Sequence, residues 1–232
     1  MIISIHENCD DMDKQLFDFL TDLKKHNNRE WFTEHKCEFE TAKSHANHFF
    51  DELYTELSQY DDFQPLKIYR IYRDVRFSKD KSPYKLHFSA LYSRKQPQNR
   101  GSFYVHLQPG ESFVGGGFWG PEKEDLLRIR KAIEFDDEFL NILNDKDLKS
   151  NFGELTGEQL KLIPKGFDKA HPRAELLKFK QFLLTKSYPD QVVFEADFLQ
   201  RIVNDYQHLQ PFFRYMTEVL TTNENGESLF EL

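Results

Sequence analysis

The spacing of hydrophobic residues changes twice along the chain, and this change limits the fold more than any other feature. Apolar residues recur at helical spacing between about residues 11 and 59. Between about residues 67 and 119 they alternate with polar residues, as in strands that bury one face. Helical spacing returns over residues 121–220. The sequence therefore predicts an α+β fold, in which an antiparallel sheet is covered by N-terminal and C-terminal helices.

The helical regions contain recognisable start and stop signals. Asn28 is expected to cap the second helix, whose long apolar stripe is interpreted as core packing rather than a cofactor site. Pro121 predicts the start of a helix in the third region, because proline is favoured at the first helical position. Further helices are predicted around residues 176–179 and 198–206. The tail at residues 221–232 is expected to fray.

Four strands with short connections are predicted in the middle region. The first covers residues 68–72, and the next two alternate through residues 86–92 and 103–107. Pro109-Gly110 is typical of a tight turn and leads to a fourth strand at residues 112–114. Short connections favour an antiparallel meander, since a parallel sheet needs long crossovers. No linker is visible, so residues 1–232 are expected to form a single domain.

Composition indicates an ordered core and disfavours one class of partner. Hydrophobic residues make up only 39% of the chain, but it contains 23 Phe and 10 Tyr, which bury large areas. Disordered chains are poor in aromatic residues. The formal net charge of -8 would repel nucleic acid unless a strongly basic face overcame it. Nucleic acid is therefore a disfavoured partner.

The sequence indicates neither secretion nor a membrane segment nor a metal site. The start at residues 1–5 lacks a basic region and a sustained apolar run, so no signal peptide is expected. No stretch approaches the roughly 20 apolar residues of a membrane helix. Cys9 and Cys37 lack the spacing of a zinc site, and His45 and His48 lack a third ligand. We expect a cytoplasmic protein.

A run of cationic residues between positions 70 and 84 is the main candidate for a functional site. Five cations face only Asp74 and Asp80, which leaves a local excess of three positive charges in an acidic chain. Arginine carries a planar fork that suits bidentate binding of phosphate or carboxylate. The segment predicts a pocket for an anionic small molecule, including an enzyme acting on one. The predicted ligand contacts in it are Arg70, Arg73, Arg76, Lys81 and Tyr84.

Other segments could complete such a site. Gly116 lies in a run of three glycines, which could admit a ligand close to the backbone or could serve as a bulge. Lys165 could add another cation. His106 in the third strand, or Asp74, could act as the acid or base. No phosphate-binding loop, dinucleotide motif or nucleophile elbow occurs, so the sequence identifies no cofactor.

Two alternative interpretations stay open. In the first, Asp74 clamps Arg73 or Arg76 in an internal ion-pair network, and the protein is a non-catalytic module that binds a protein partner. In the second, a basic strip with stacking tyrosines binds nucleic acid. The strip would comprise Arg70–Lys85, Arg94 and Lys95, with Tyr69, Tyr72 and Tyr92.

The same cationic segment carries a resemblance to a known family. It has the pattern Arg-x-x-Arg-Asp-x-Arg-Phe, followed by Asp-Lys and Tyr. The matching residues are Arg70, Arg73, Asp74, Arg76, Phe77, Asp80, Lys81 and Tyr84. With the segments at 27–32, 104–107, 115–117 and 164–166, the chain resembles the DUF2461 family of bacterial proteins over nearly its whole length. The resemblance implies no activity, because that family is a domain of unknown function.

Overall fold

The computed structural model describes residues 9–223 and 225–230, and the start of the chain, where no signal peptide is expected, lies outside them. Within the described residues the chain forms ten helices and one five-stranded antiparallel sheet. The predicted α+β class is confirmed. No helix in these parts of the chain is long and apolar enough to cross a membrane.

The N-terminal region consists of α1 (Cys9–Lys25), α2 (Arg29–Glu34) and α3 (Lys36–Leu57). Asn28 caps α2 as predicted, because its side chain accepts a hydrogen bond from the backbone of Trp31 at 2.9 Å. Asn27 links this turn to the sheet region by two bonds to the backbone of Tyr84, at 3.0 and 3.1 Å. The turn between α1 and α2 therefore attaches the N-terminal helices to the chain around Tyr84.

The sheet contains β1 (Lys67–Ile68), β2 (Phe88–Ser93), β3 (Ser102–Leu107), β4 (Ser112–Phe118) and β5 (Phe182–Tyr188). The strands lie in chain order, and every neighbouring pair is antiparallel. In the register, Ser89 of β2 faces His106 of β3, which faces Phe113 of β4. The predicted meander is confirmed for the first four strands.

Two strand predictions need correction. The first strand ends at Ile68, because the chain then leaves the sheet and returns only as an isolated bridge between Tyr72 and Tyr84. The fifth strand, β5, lies in a region predicted to be helical. It pairs with β4 along seven residues, and this long-range partner stabilises an extended chain that the local sequence does not specify.

The C-terminal region supplies seven helices around the sheet. They are α4 (Lys123–Phe135), α5 (Glu138–Leu143), α6 (Lys146–Phe152), α7 (Ala174–Leu177), α8 (Asp190–Val193), α9 (Phe198–His208) and α10 (Gln210–Thr221). Pro121 precedes α4 instead of starting it, since Glu122 occupies the cap position. The helix predicted through Phe179 ends at Leu177. In the tail, which we expected to fray, Thr222 bridges Ser228.

The two faces of the sheet differ in burial. On one face Phe103 and Val105 of β3 are fully buried, and Phe103 packs against Tyr206 of α9 with 5.4 Å between ring centroids. Residues at alternate positions, including Tyr104 and His106, lie on the other face and are only half-buried. We call this second side of the sheet the open face.

Candidate functional site

The arginine loop, which we define as residues 70–83, uses both of its acids to pair with two of its arginines. Arg73 forms an ion pair with Asp80 and also donates to the carbonyl of Ser82 at 3.2 Å. Arg76 binds Asp74 in bidentate fashion, with Nε–Oδ1 2.9 Å and Nη2–Oδ2 2.6 Å. These two arginines, predicted as ligand contacts, already hold carboxylates.

The pairs in the arginine loop are on the surface, so they do not form the internal network that the sequence left open. The side chain of Arg76 is 77% exposed, and that of Asp74 is 48% exposed. Hydrogen bonds from Arg76 hold the pKa of Asp74 below its usual value. Asp74 therefore stays ionised at neutral pH and is a weak candidate for the predicted acid or base.

Arg70 and Lys81 keep their charge without an acid bound to them. The ammonium group of Lys81 donates to the carbonyl of Val75 at 3.0 Å. Among the described residues no acid forms an ion pair with Arg70, although Asp74 and Lys85 are close enough to interact with it electrostatically. The predicted excess of positive charge therefore persists in the folded chain.

Tyr84 does not lie where a ligand could contact its ring. The side chain is 5% exposed and stacks on Phe32 of α2, with 3.9 Å between ring centroids. The side chain of Asn27 binds both the carbonyl and the N–H group of the Tyr84 backbone. The structure gives this predicted ligand contact a packing role, because Tyr84 fixes the turn before α2 to the chain that leads into β2.

Gly116 faces the core and not the open face. A Cβ atom at this position would lie 2.5 Å from Cδ1 of Leu209 and 3.0 Å from Cζ of Phe213. The absence of a side chain allows the C-terminal helices to pack closely on β4. Gly116 therefore has a packing role on the core face. The neighbouring Gly117 has a φ of +146°, which fits the alternative interpretation of the glycine run as a device that bends the strand.

Lys165 lies beside the opposite edge of the sheet from the arginine loop. Its loop lies between Leu160 and Arg173. The backbone N–H of Leu160 donates to the carbonyl of Lys178. The side chain of Arg173 donates to the carbonyl of Ile133 at 2.5 Å. This region flanks β5, whereas the arginine loop connects β1 to β2. The structure therefore does not bring Lys165 to the predicted site.

His106 lies at the centre of the open face in a group of polar rings and amides. Its Nδ1 is 3.3 Å from the hydroxyl of Tyr104, and its Nε2 is 3.1 Å from Oε1 of Gln108. The ring of Phe113 stacks on the ring of His106, with 4.7 Å between the ring centroids. A neutral ring satisfies both contacts, with Nε2–H donating to Gln108 and Nδ1 accepting from Tyr104.

His87 lies against His106, with 4.0 Å between the ring centroids. Burial, together with the nearby His106 and Lys85, lowers the pKa of His87 to about 4. Burial also lowers the pKa of His106. Both rings are therefore uncharged at neutral pH and can each accept a proton.

Ser89 contributes a hydroxyl group without a partner to the same group of side chains. The residue is 1% exposed and lies opposite His106 in the register. It lies near the hydroxyl of Tyr104, but no group in the described parts of the chain reaches its Oγ with hydrogen-bonding geometry. Buried hydroxyl groups in proteins nearly always have a partner, so this one indicates a missing ligand or water.

Lys85 connects the open face to the arginine loop. It is half-buried, and its ammonium group lies 5.2 Å from the ring centroid of Tyr69. Burial lowers its pKa, and the charge of Arg70 lowers it further. Within residues 9–223 and 225–230 no carboxylate pairs with it, so Lys85 and Arg70 form an uncompensated pair of cations at the margin of the face.

For the anion site the sequence pointed to Arg70 and His106 but missed three residues, namely His87, Ser89 and Lys85, the last of which it placed only in the nucleic-acid strip. The signal was present, because these three polar residues alternate with Leu86 and Phe88 and must share one face of an extended chain. We call the group His87, Ser89, Tyr104, His106 and Gln108, with Lys85 and Arg70 at its margin, the histidine site.

Comparisons with known proteins place the chain in a family without assigning an activity. The model of the family described as Conserved hypothetical protein (DUF2461) matches residues 15–215. The matched range contains the arginine loop and the whole histidine site. A search of curated proteins found no match.

Proposed function

The chain belongs to the DUF2461 family, and we propose that this member binds a small anionic molecule, carrying a phosphate or a carboxylate, at the histidine site. One observation carries the proposal: Lys85 is a half-buried cation without a carboxylate partner in the described parts of the chain, and it lies beside Arg70. A half-buried cation beside a second positive charge is costly unless an anion joins them.

The neighbouring groups supply what an oxyanion needs besides charge. The hydroxyl of Ser89 is free to donate, and the neutral ring of His87 carries one N–H group. The N–H group of His106 already donates to Gln108. Phosphate and carboxylate oxygens accept several such bonds at once. A ligand with a flat or apolar part would contact the rings of Tyr69, Tyr104 and Phe113, which line the same face.

The histidine site also has the chemistry for proton transfer. His106 and His87 are uncharged at neutral pH and lie in ring contact. Since Nδ1 of His106 already accepts from Tyr104, His87 is the ring that could take a proton from a bound substrate. Asp74 is less suited to this role, because both of its carboxylate oxygens already accept hydrogen bonds from Arg76. Arg73 and Arg76 then shape the arginine loop rather than bind the anion.

The test is whether sulfate and phosphate bind. Thermal unfolding and isothermal titration calorimetry measure this binding. We expect each anion to raise the melting temperature of the parent protein, since a ligand that binds only the folded state stabilises it. Lys85→Met should abolish most of this protection. Lys79→Met is the matched control, because Lys79 is an exposed cation on the arginine loop and should leave the protection unchanged.

Two results would overturn the proposal. The first is the absence of any stabilisation across phosphate, sulfate and a panel of phosphorylated and carboxylated metabolites. The second is equal protection of the parent and the Lys85→Met protein. Ser89→Ala gives an independent measure, because it should weaken anion binding. The unliganded variant should not lose stability, since the substitution removes a buried hydroxyl group that has no partner.

A further inference from the structure

Phe77 is presented to solvent on a loop that is held in shape by its own hydrogen bonds. Its side chain is 96% exposed, and the guanidinium of Arg76 lies 6.0 Å from the ring centroid. The loop around it is fixed by the Arg76–Asp74 pair, the bond from Lys81 to the carbonyl of Val75 and the bond from Ser82 to Asp80 at 2.9 Å. An aromatic residue so placed loses little freedom when a partner binds it.

The surroundings of Phe77 resemble the centre of a protein interface. Aromatic residues and arginine are the types that contribute most to binding between proteins. Lys79 and Lys81 follow within four residues and are also exposed. A surface that receives Phe77 would therefore combine an apolar hollow with acidic groups around it.

The chain itself carries such a hollow. A shallow, open depression of about 500 Å³, which we call the cavity, lies between α5, α6 and the junction of α9 with α10. Ile142, Leu148 and Pro211 give it apolar walls. Three acids also line it, namely Glu138, Asp145 and Asp147. Asp145 caps α6, accepting bonds from the backbone of Asp147 and Leu148, so Glu138 is the acid with most freedom to meet a cation.

We propose that Phe77 of one protomer inserts into this cavity of a second copy of the chain, with Lys79 and Lys81 facing the acids around it. The cations of the loop and the acids of the cavity are complementary in sign. The arginine loop lies beside the β1 edge of the sheet, whereas α6 packs at β5 through the bond between Lys186 and Asn151 at 3.2 Å. The two surfaces are at opposite edges, so they meet between copies and not within one.

This geometry makes the contact heterologous, since one protomer gives the loop and the next gives the cavity. Such contacts build head-to-tail chains or rings instead of two-fold dimers. The association should also weaken as salt is added, because the charges on both sides are exposed. It is independent of anion binding at the histidine site, which uses neither Phe77 nor the cavity.

The test is sedimentation velocity of the full chain over a wide range of concentration. The parent protein should self-associate, and Phe77→Ala or Glu138→Lys should each weaken association at least tenfold. Phe135→Ala and Glu124→Lys are matched controls and should behave as the parent. Phe135 is 87% exposed at the end of α4, and Glu124 lies in the first turn of a helix as Glu138 does.

Mixing the two interface variants distinguishes this contact from any other. Phe77→Ala keeps an intact cavity and Glu138→Lys keeps an intact loop, so the mixture should form one-to-one dimers that neither variant forms alone. A parent protein that stays monomeric at every concentration would overturn the proposal. So would a Phe77→Ala protein that associates as the parent does. Sulfate protection of both variants should match the parent, which keeps this test separate from that of the histidine site.

Discussion

Arg94 and Arg76 place the same guanidinium group in opposite surroundings. Arg94 has a side chain 4% exposed and donates to Asp61 at 2.5 Å and to the hydroxyl of Thr217 at 2.9 Å. Asp61 in turn accepts a bond from Tyr206 at 2.6 Å. Arg76 is largely in water and binds only within its own loop. The internal network that the sequence suggested for the arginine loop exists around Arg94.

Substitution of these two arginines should therefore have very different effects on stability. Arg94→Ala leaves Asp61 buried without its partner and should lower the free energy of unfolding by about 3–5 kcal/mol. Arg76→Ala removes an exposed pair and should leave the unfolding midpoint nearly unchanged. Urea denaturation followed by circular dichroism measures both. A large loss in Arg76→Ala would restore the interpretation of the arginine loop as a brace.

His87 should make the stability of the protein depend on pH in a defined window. Its pKa in the folded chain is about 4, against an ordinary value of 6.5. Between these two values the unfolded chain binds a proton that the folded chain does not, so stability falls as pH decreases from 6.5 to 4. His87→Gln should flatten this part of the profile in urea denaturation. The exposed His48→Gln is the control and should retain the slope.

At the scale of residues, the sequence could show an excess of charge but not its location. Counting five cations against two acids correctly predicted that positive charge remains after pairing. It could not show that Arg73 and Arg76 take the two acids, because pairing depends on how the loop turns back at Asp80. Lys85 lies one residue beyond Tyr84, the last residue of the predicted anion site. Only its burial in the folded chain marks it as part of a site.

Among the elements, the contact between β4 and β5 depends on backbone geometry at Gly117. The residue has a φ of +146°, and a Cβ atom there would lie 2.0 Å from the carbonyl oxygen of Phe182 in β5. Other residues rarely adopt this conformation. The side chain of any other residue would push the last strand away from the sheet.

Gly117→Ala should therefore destabilise the protein by at least about 2 kcal/mol, through strain and the loss of strand pairing. Gly120→Ala is the matched control, since a Cβ atom at Gly120 would have no neighbour within 4 Å and its φ is not in the positive range. The measurement is urea denaturation of both variants. Equal stability of the two proteins would contradict the importance of this contact.

The sequence specified elements well wherever their signals were local. Asn28 marked a helix start, and alternation marked β2 and β3, because both patterns arise within a few residues. The fifth strand had no such signal. Phe182 to Tyr188 become a strand through pairing with β4, which lies more than sixty residues earlier in the chain. A partner at that distance cannot be deduced from local spacing.

For the whole molecule, the distribution of charge argues against nucleic acid as a ligand. The formal net charge is -8, and two residues predicted for the basic strip, Tyr92 and Arg94, are buried in the core. Only Tyr69 and Tyr72 stay near the surface beside the cations. A strip reduced in this way lacks the length needed to follow a strand of phosphates.

We expect no measurable binding of single-stranded DNA or RNA, even at about 50 mM salt, where such contacts are strongest. Fluorescence anisotropy of labelled oligonucleotides measures this directly. An affinity that falls steeply as salt is added would contradict the expectation and would point back to the arginine loop. Arg70→Gln should then reduce the affinity and the slope together.

The position of β5 has a consequence for the synthesis of this protein. While the ribosome has released β1 to β4 but not Phe182 to Tyr188, the glycine-rich β4 is an unprotected edge that can pair with another nascent chain. Translation of the sixty-odd intervening residues takes several seconds at roughly 5–20 residues per second. During that interval the sheet lacks its last strand, and the arrival of Phe182 to Tyr188 closes the edge of β4.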